Sequence, residues 1–263
     1  MGSIDEGATR AEKGTMEAEV AFGEAYALVH DLRVRCAWDR AQTPQSLRPY
    51  LREEVAELEE ALIEGDEARI ASELGDLLLH FIFQVDLAAD RGAFTLADVT
   101  KLLIDKMKRR HPHLYGNGAA EAWERTKITE RRSQKTEGAT PSVLGHLPPT
   151  LTELEKAFRY QERAAAVGFD WDDLAGPLDK LEEEVAETRL QPKEEIGDVL
   201  FAAVNVARKA GVHPTAALEA ATNKFVTRFR EVEKLAAARG IAVETAGLAV
   251  LDGLWDEVKE MKG

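Results

Sequence analysis

Apolar residues recur every three or four positions along most of the chain. Two stripes show this spacing most clearly: Leu51, Val55, Leu58 and Leu62, and Phe225, Phe229, Val232 and Leu235. This period is that of an α-helix with one buried face. The strong helix formers Ala, Leu, Glu, Lys and Arg dominate the composition, and the alternation typical of strands is not sustained. The sequence therefore predicts an all-α fold built by helix-bundle packing.

Turn signals divide the helical stripes into elements. Gly65 and Asp66 are predicted to separate two antiparallel helices, and Gly92 to end the second of them. Thr95 is a predicted N-cap. The following helix should stop at His111, because the residue before a proline disfavours the α conformation.

The two halves of the chain resemble each other. The segment Leu51–Glu57 (LREEVAE) matches Leu181–Glu187 (LEEEVAE), and Glu73–Asp76 (ELGD) matches Glu195–Asp198 (EIGD). A segment rich in Ser, Gly and Pro separates the halves. We therefore predict a flexible lead over 1–18, an N-terminal helical domain over 19–128, a linker over 129–150 and a C-terminal helical domain over 151–263.

Each half carries two acidic pairs, E-x-x-E on one helix and E-x-x-D on the next. The eight acids are Glu54, Glu57, Glu73, Asp76, Glu184, Glu187, Glu195 and Asp198. Acids three residues apart share a helix face, and a short turn between the helices makes the pairs converge. A lone E-x-x-E is usually a solvated face. In this chain the acidic pairs lie at the edge of an apolar stripe, and the arrangement is repeated in both halves. The sequence therefore favours a site for a hard cation, Mg²⁺ or Mn²⁺.

Other metal sites fit the sequence less well. A di-iron carboxylate bundle needs Glu-x-x-His pairs, and none of the six histidines follows a Glu by three residues. His80 lies in the apolar run after Asp76 and is expected to be a buried core histidine with its hydrogen bonds satisfied. His111 and His113 are expected to be structural.

Basic pairs one helical turn apart follow the acids in each half. They are Lys106 with Arg110, and Lys224 with Arg228. The pairs could hold phosphate oxygens beside the metal. They could equally complement a helix dipole at its C-terminal end, and spacing does not distinguish the two roles.

Composition excludes several classes of protein. The net charge of −14 argues against a chain that coats nucleic acid, because phosphate neutralisation needs a basic surface. One cysteine, Cys36, excludes a disulfide framework and a cysteine-rich zinc site. No apolar run is long enough for a membrane span, and the N-terminus lacks the apolar core of a signal peptide. We therefore expect a cytoplasmic protein.

Together these motifs resemble the MazG-type nucleoside triphosphate pyrophosphohydrolases in their two-domain form. The resemblance covers residues 28–259. It rests on the acidic pairs and on Arg35–Asp39 (RCAWD), Lys108–His113 (KRRHPH), Trp123, Glu124, Lys127, Gly168–Trp171 (GFDW) and Lys224–Glu233. It implies an all-α homodimer with bundles formed between subunits. It also implies Mg²⁺-dependent cleavage of NTPs or dNTPs to the monophosphate and pyrophosphate, in nucleotide-pool house-cleaning or a stress response.

The resemblance also implies roles for individual residues. All eight acids would bind metal, and Glu57 and Glu187 would be the candidate general bases. Lys180, Lys224, Arg228 and Trp255 match positions that contact the nucleotide, although a core or interface position would also explain Trp255. Only seven residues separate Glu187 from Glu195, against fifteen between Glu57 and Glu73. Which acidic tetrad is active therefore stays open.

Two alternatives also stay open. The acidic helices could form a catalytically degenerate interaction module that binds protein partners. The enzyme could instead be a narrower pyrophosphohydrolase that acts on one modified nucleotide or on a (p)ppGpp-like alarmone.

Overall fold

The computed structural model describes the backbone of residues 3–116 and 142–262, and side chains from residue 14 onward within these ranges to residue 261. This part of the chain contains helices and no strands, which confirms the predicted all-α fold. The helices are α1 (Ser3–Arg35), α2 (Ala37–Ala41), α3 (Arg48–Glu64), α4 (Glu67–Asp90), α5 (Leu96–Arg110), α6 (Pro112–Tyr115), α7 (Glu153–Ala165), α8 (Ala175–Thr188), α9 (Pro192–Lys209), α10 (Pro214–Ala238) and α11 (Leu248–Lys262). Among these described helices, none is long and apolar enough to cross a membrane.

The chain separates into two compact units, Met1–Gly118 and Ala119–Gly263. The predicted domain boundaries stay predictions. Helix α1 begins within the segment that we expected to be a flexible lead. Trp123, Glu124 and Lys127 of the family motif lie outside the described residues, as does the linker from residue 129 to residue 141.

In the first unit, α3 and α4 form a helical hairpin. Gly65 ends α3 with a φ of 70°, in the left-handed region that favours glycine. The Asp66 carboxylate then caps α4 by accepting hydrogen bonds from the backbone N–H groups of Ala68 and Arg69. The predicted turn is thus confirmed.

The remaining turn signals of this unit are also confirmed. Gly92 has a φ of 66° and follows the end of α4. The Thr95 hydroxyl accepts from the Asp98 N–H while the Asp98 carboxylate accepts from the Thr95 N–H, a capping box at the start of α5. Helix α5 ends at Arg110, before His111 and Pro112.

A buried carboxylate attaches α1 to α4. Asp86 is almost fully buried and accepts a hydrogen bond from the Tyr26 hydroxyl at 3.0 Å. His30 Nδ1 lies 2.9 Å from its other oxygen, and an Arg33 guanidinium nitrogen lies 3.5 Å away. The apolar core of this unit contains Val29, Leu47, Ile82, Phe83 and Leu87.

In the second unit, α8 and α9 form the corresponding hairpin. Pro192 occupies the first turn of α9. Asp170 accepts from Arg208 and Lys209 at the end of α9, which ties the loop before α8 to this helix. A second core, formed by α10 and α11, contains Val232, Ala236, Leu254 and Val258.

The last part of the predicted linker packs against the second unit. Leu147 is buried, and the Arg163 guanidinium on α7 donates to the carbonyl oxygens of Leu144 and His146. Residues 142–150 are therefore held along α7.

The apolar stripes are only partly covered within the chain. Val232 is 1% exposed, but Val55 is 50% exposed, and its counterpart Val185 is 43% exposed. The apolar faces of both hairpins are thus left with substantial exposed area.

Candidate metal and nucleotide site

Three acids of the first hairpin converge. Oxygen atoms of Glu54, Glu57 and Glu73 all lie within 4.8 Å of one another. Glu54 and Glu57 come from successive turns of α3, and Glu73 comes from α4. The geometry agrees with the expectation that the Gly65 turn brings the acidic pairs of the two helices together.

The carboxylates of this group repel one another. The pKa of the Glu54 carboxyl is raised, first by burial and then by the charges of Asp76, Glu57 and Glu73. Asp76 therefore acts on the group electrostatically, although its oxygens are not among the three that converge. The four acids are predicted ligands, and the structure brings three of them together.

The second hairpin repeats the arrangement with a different third member. Oxygen atoms of Glu184, Glu195 and Asp198 lie within 4.8 Å of one another. Glu187 is exposed and outside this group, but its charge contributes to a raised pKa of Glu195, after burial and before Asp198. The seven-residue connection thus still permits a group of three acids.

Lys180 distinguishes the second group from the first. Its Nζ lies 2.7 Å from a Glu184 oxygen and 2.9 Å from a Glu183 oxygen. These hydrogen bonds, first to Glu184 and then to Glu183, raise the pKa of Lys180. The matching position in the first half is Tyr50, which carries no charge.

The other predicted nucleotide contacts of the second half lie on α10 and α11. Lys224 is exposed on α10, and Arg228 is half-buried one turn further on. Trp255 of α11 packs at the edge of the Val232 core. Its ring also lies 5.3 Å from that of Phe225, the neighbour of Lys224.

The aromatic contact was not predicted. The helical stripe predicts that Phe225 is buried, but Phe225 is 55% exposed. The Phe225 ring stacks on Phe229 at 5.8 Å, with an angle of 20° between the rings. Two aromatic residues one turn apart, directly beside a Lys-x-x-x-Arg pair, are the sequence signal for this cluster.

In the first half, Lys106 and Arg110 lie half-buried near the end of α5. Helix α5 packs mainly against α6 rather than against the α3–α4 hairpin. Their predicted role toward phosphate stays a prediction.

His80 differs from our expectation. It is buried as expected, but its Nδ1 has no hydrogen-bond partner among the described residues. Burial, the larger cause, lowers the pKa of His80, and the charge of Asp76 opposes this change. Hydrophobic periodicity identified the buried position but not the unpaired nitrogen.

The donor sets fit a hard divalent cation. Both groups offer only carboxylate oxygens, the ligands that Mg²⁺ and Mn²⁺ prefer, and offer no imidazole or thiolate. Burial and then the charges of neighbouring acids raise the pKa values of Glu54 and Glu195, and a bound cation would relieve the repulsion between these charges.

Comparison with known proteins agrees with these features. The model of the MazG nucleotide pyrophosphohydrolase domain matches residues 42–115, which contain the first hairpin. The chain is 40% identical over 253 residues to the nucleoside triphosphate pyrophosphohydrolase/pyrophosphatase MazG of Thermotoga maritima, covering 92% of this chain and 97% of that protein. It is 38% identical over 244 residues to the nucleoside triphosphate pyrophosphohydrolase of Escherichia coli K12, covering 86% of this chain and 91% of that protein. The resemblance found in the motifs is thereby confirmed, and the chain belongs to the MazG family of nucleotide pyrophosphohydrolases.

Proposed function

We propose that this protein hydrolyses nucleoside triphosphates to the monophosphate and pyrophosphate with Mg²⁺, or with Mn²⁺ in its place. The observation that carries this proposal is the pair of acidic groups, each assembled from the two helices of a hairpin, with two of the three acids at matched positions. The names of the relatives support the same reaction. We propose a role in nucleotide-pool house-cleaning or a stress response.

The residues of each acidic group hold and orient the reactants. Glu54, Glu73 and Asp76 in the first half, and Glu184, Glu195 and Asp198 in the second, are the proposed metal ligands. Bound Mg²⁺ would neutralise triphosphate charge and orient water for in-line attack. Glu57 and Glu187 are also proposed ligands. Both are exposed, so a carboxylate oxygen of each that is not engaged by metal could accept the proton of the attacking water.

In the second half, we propose that Lys180, Lys224 and Arg228 bind the triphosphate. Lys180 already neutralises Glu184, so its ammonium group lies beside the acidic group where a phosphate would enter. The aromatic cluster of Phe225 and Trp255 offers a face on which a nucleobase can stack. Replacing Trp255 with Leu should raise KM with little change in kcat if the ring contributes uniform binding.

In the first half, Lys106 and Arg110 are the proposed phosphate contacts. They occupy positions matched to Lys224 and Arg228. The alternative role at the end of helix α5 predicts that Lys106→Gln changes stability but not KM.

Product identification tests the proposed reaction. The purified protein is incubated with Mg²⁺ and a panel of NTPs and dNTPs, and nucleotides, pyrophosphate and phosphate are measured separately. We expect a monophosphate with one pyrophosphate for each turnover, and no turnover in excess chelator. A diphosphate with phosphate would refute the proposal. No turnover on any substrate would favour a specialised modified nucleotide, an alarmone or an interaction module.

Paired substitutions then identify the active tetrad. Glu54→Gln removes one charge from the first group, and Glu184→Gln removes one from the second. The matched controls are the exposed acids Glu59 and Glu182 on the same helices, each changed to Gln. Loss of turnover in one variant, with both controls active, assigns catalysis to that half. Full activity in both variants would contradict the metal scheme.

We also propose that the protein is a cytoplasmic homodimer. The exposed faces of the hairpins support the dimer, since Leu74 and Ile196 at matched positions are 52% and 50% exposed. The single cysteine, Cys36, fits a reducing compartment. Light scattering should give twice the chain mass, and Val55→Glu should shift the protein toward monomer.

The net charge of −14 supports our expectation that nucleic acid is not a partner.

A further inference from the structure

The halves differ at a buried position four residues after the last acid of each E-x-x-D pair. Asp76 is followed four residues later by His80, whereas Asp198 is followed at the same distance by Ala202. Both positions are buried, with His80 6% exposed and Ala202 7% exposed. The second half thus shows that the fold accepts a methyl group here, and burial alone does not require an imidazole.

Helix geometry directs His80 toward the acidic group. Residues 73, 76 and 80 lie on one face of α4 because they are three and four positions apart. Side chains in a helix lean toward its N-terminus, over the preceding turn. This geometry places the imidazole of His80 near Asp76, whose charge acts on it, and Glu73 lies one further turn along the same face.

The hydrogen-bonding capacity of His80 is not used within the described residues. Its Nδ1 is buried and has no partner there. A buried polar atom without a partner costs about 1 to 3 kcal/mol, so such an atom next to a predicted ligand needs an explanation. A neutral imidazole has one N–H donor, and a carboxylate accepts it readily.

Asp76 is the predicted ligand of the first half that does not join the converging group. The converging oxygens of the first half belong to Glu54, Glu57 and Glu73, while Asp198, the counterpart of Asp76, does join its own group. Metal-binding carboxylates are commonly held by a second hydrogen bond, and loss of such a partner typically weakens metal affinity about 10- to 100-fold.

We propose that His80 is a positioning residue of the first acidic group: its ring N–H donates to the Asp76 carboxylate and fixes that carboxylate as the fourth ligand. The inference rests on the proposed metal site and adds a residue that acts through Asp76. It also explains why the first half has a histidine where the second half has an alanine, since only Asp76 requires a partner to join its group.

Metal affinity tests the proposal without turnover. Mn²⁺ binding is measured by electron paramagnetic resonance in the full chain carrying Glu184→Gln and Glu195→Gln, which leaves the first group as the measured site. His80→Leu removes the donor at similar volume, and His80→Gln keeps a side-chain N–H. Val85→Ala on the same helix controls for a defect in the core, because Val85 is buried and apolar.

We expect His80→Leu to weaken Mn²⁺ binding about 10-fold or more, while His80→Gln retains most of the affinity. In an Asp76→Asn background, His80→Leu should cause no further loss, because its effect passes through Asp76. The role of His80 would be overturned if His80→Leu and His80→Gln lowered Mn²⁺ affinity equally. It would also be overturned if His80→Leu lowered the affinity as much in the Asp76→Asn background as in the wild type. Either result would leave the proposed metal site intact. No Mn²⁺ binding when His80 is intact would overturn both the inference and the proposed metal site of this half.

Discussion

The acids of the first hairpin should destabilise the protein when no metal is bound. We predict that Glu54→Gln raises the stability of the metal-free first unit. The carboxylate oxygens lie within 4.8 Å of one another, and like charges at that limit repel by about 0.9 kcal/mol in bulk water and by about 3.5 kcal/mol at an effective dielectric constant of about 20. Glu54 is half-buried, so solvent screening places the expected gain near the lower value, at about 1 kcal/mol.

The effect of pH has a defined sign. Because the pKa of Glu54 is higher in the folded protein than its ordinary value, the folded state binds the proton more tightly. Stability therefore falls as pH rises from the ordinary carboxyl pKa of 4.5 through the raised folded value. Glu54→Gln should remove this fall, so the difference between variant and wild type grows across that window and is greatest above it.

Hydrogen exchange measured by mass spectrometry is the appropriate assay. The chain has two units that need not unfold together, so exchange is followed in peptides from α3 and α4. A gain of about 1 kcal/mol should slow exchange about five-fold in chelator. Glu59→Gln, on the same helix but outside the acidic group, should leave exchange nearly unchanged.

Divalent metal should make the wild type more stable than the Glu54→Gln variant. Mg²⁺ at about 100 times its Kd would stabilise the wild type by about 2.7 kcal/mol, and Glu54→Gln should gain much less because it has lost a ligand. Faster exchange of the variant in chelator would refute the reasoning, since it would show that Glu54 is stabilised by a partner rather than destabilised by its neighbours.

Three further predictions concern stability. Asp86→Ala should lower the free energy of unfolding by about 3 to 5 kcal/mol, because it leaves the largely buried Arg33 guanidinium and the half-buried Tyr26 hydroxyl without this carboxylate; denaturation monitored by exchange in α1 and α4 checks this, and a loss below 1 kcal/mol would contradict it. Gly176→Ala should cost about 1 to 3 kcal/mol because the added Cβ would clash with the indole of Trp171, and normal thermal stability of the variant would disprove the packing. The pKa of Asp170 is lowered, chiefly by its hydrogen bond from a guanidinium group, so its contribution should be lost as pH falls from the ordinary value through the folded one; Asp170→Asn should flatten the acid limb of the stability curve, and an unaltered limb would count against this.

Local signals in the sequence were sufficient for the helix boundaries from the end of α3 to the end of α5. Gly65, Asp66 and Thr95 each act through backbone geometry or a side-chain cap a few residues away, so neighbouring letters contain the needed information. The convergence of acids from the two helices of each hairpin was predictable for a similar reason, because it follows from spacing and one short turn. The spacing is the same in both halves, however, and did not indicate that Glu57 joins the first group and Asp198 the second.

Interactions between distant parts of the chain were not predictable in this way. The Asp86 network joins α4 to residues 56 and 60 positions away, and hydrophobic periodicity carries no signal for such a pairing. The contact between Phe225 and Trp255 likewise depends on how α10 and α11 cross. Helical spacing predicts which face of α10 Phe225 occupies, but it does not predict how much of that face other helices cover.

The repeat itself explains why the sequence did not determine which half is active. The two halves share the acids, but the residues that surround them differ: Lys180 stands where the first half has Tyr50, and Ala202 where it has His80. In the second group a lysine offsets the charge of Glu184, whereas in the first group Glu54 is surrounded by other acids. Equal sets of ligands therefore have unequal electrostatic environments, so metal affinity, phosphate binding and pH dependence should differ between the halves even where every carboxylate matches.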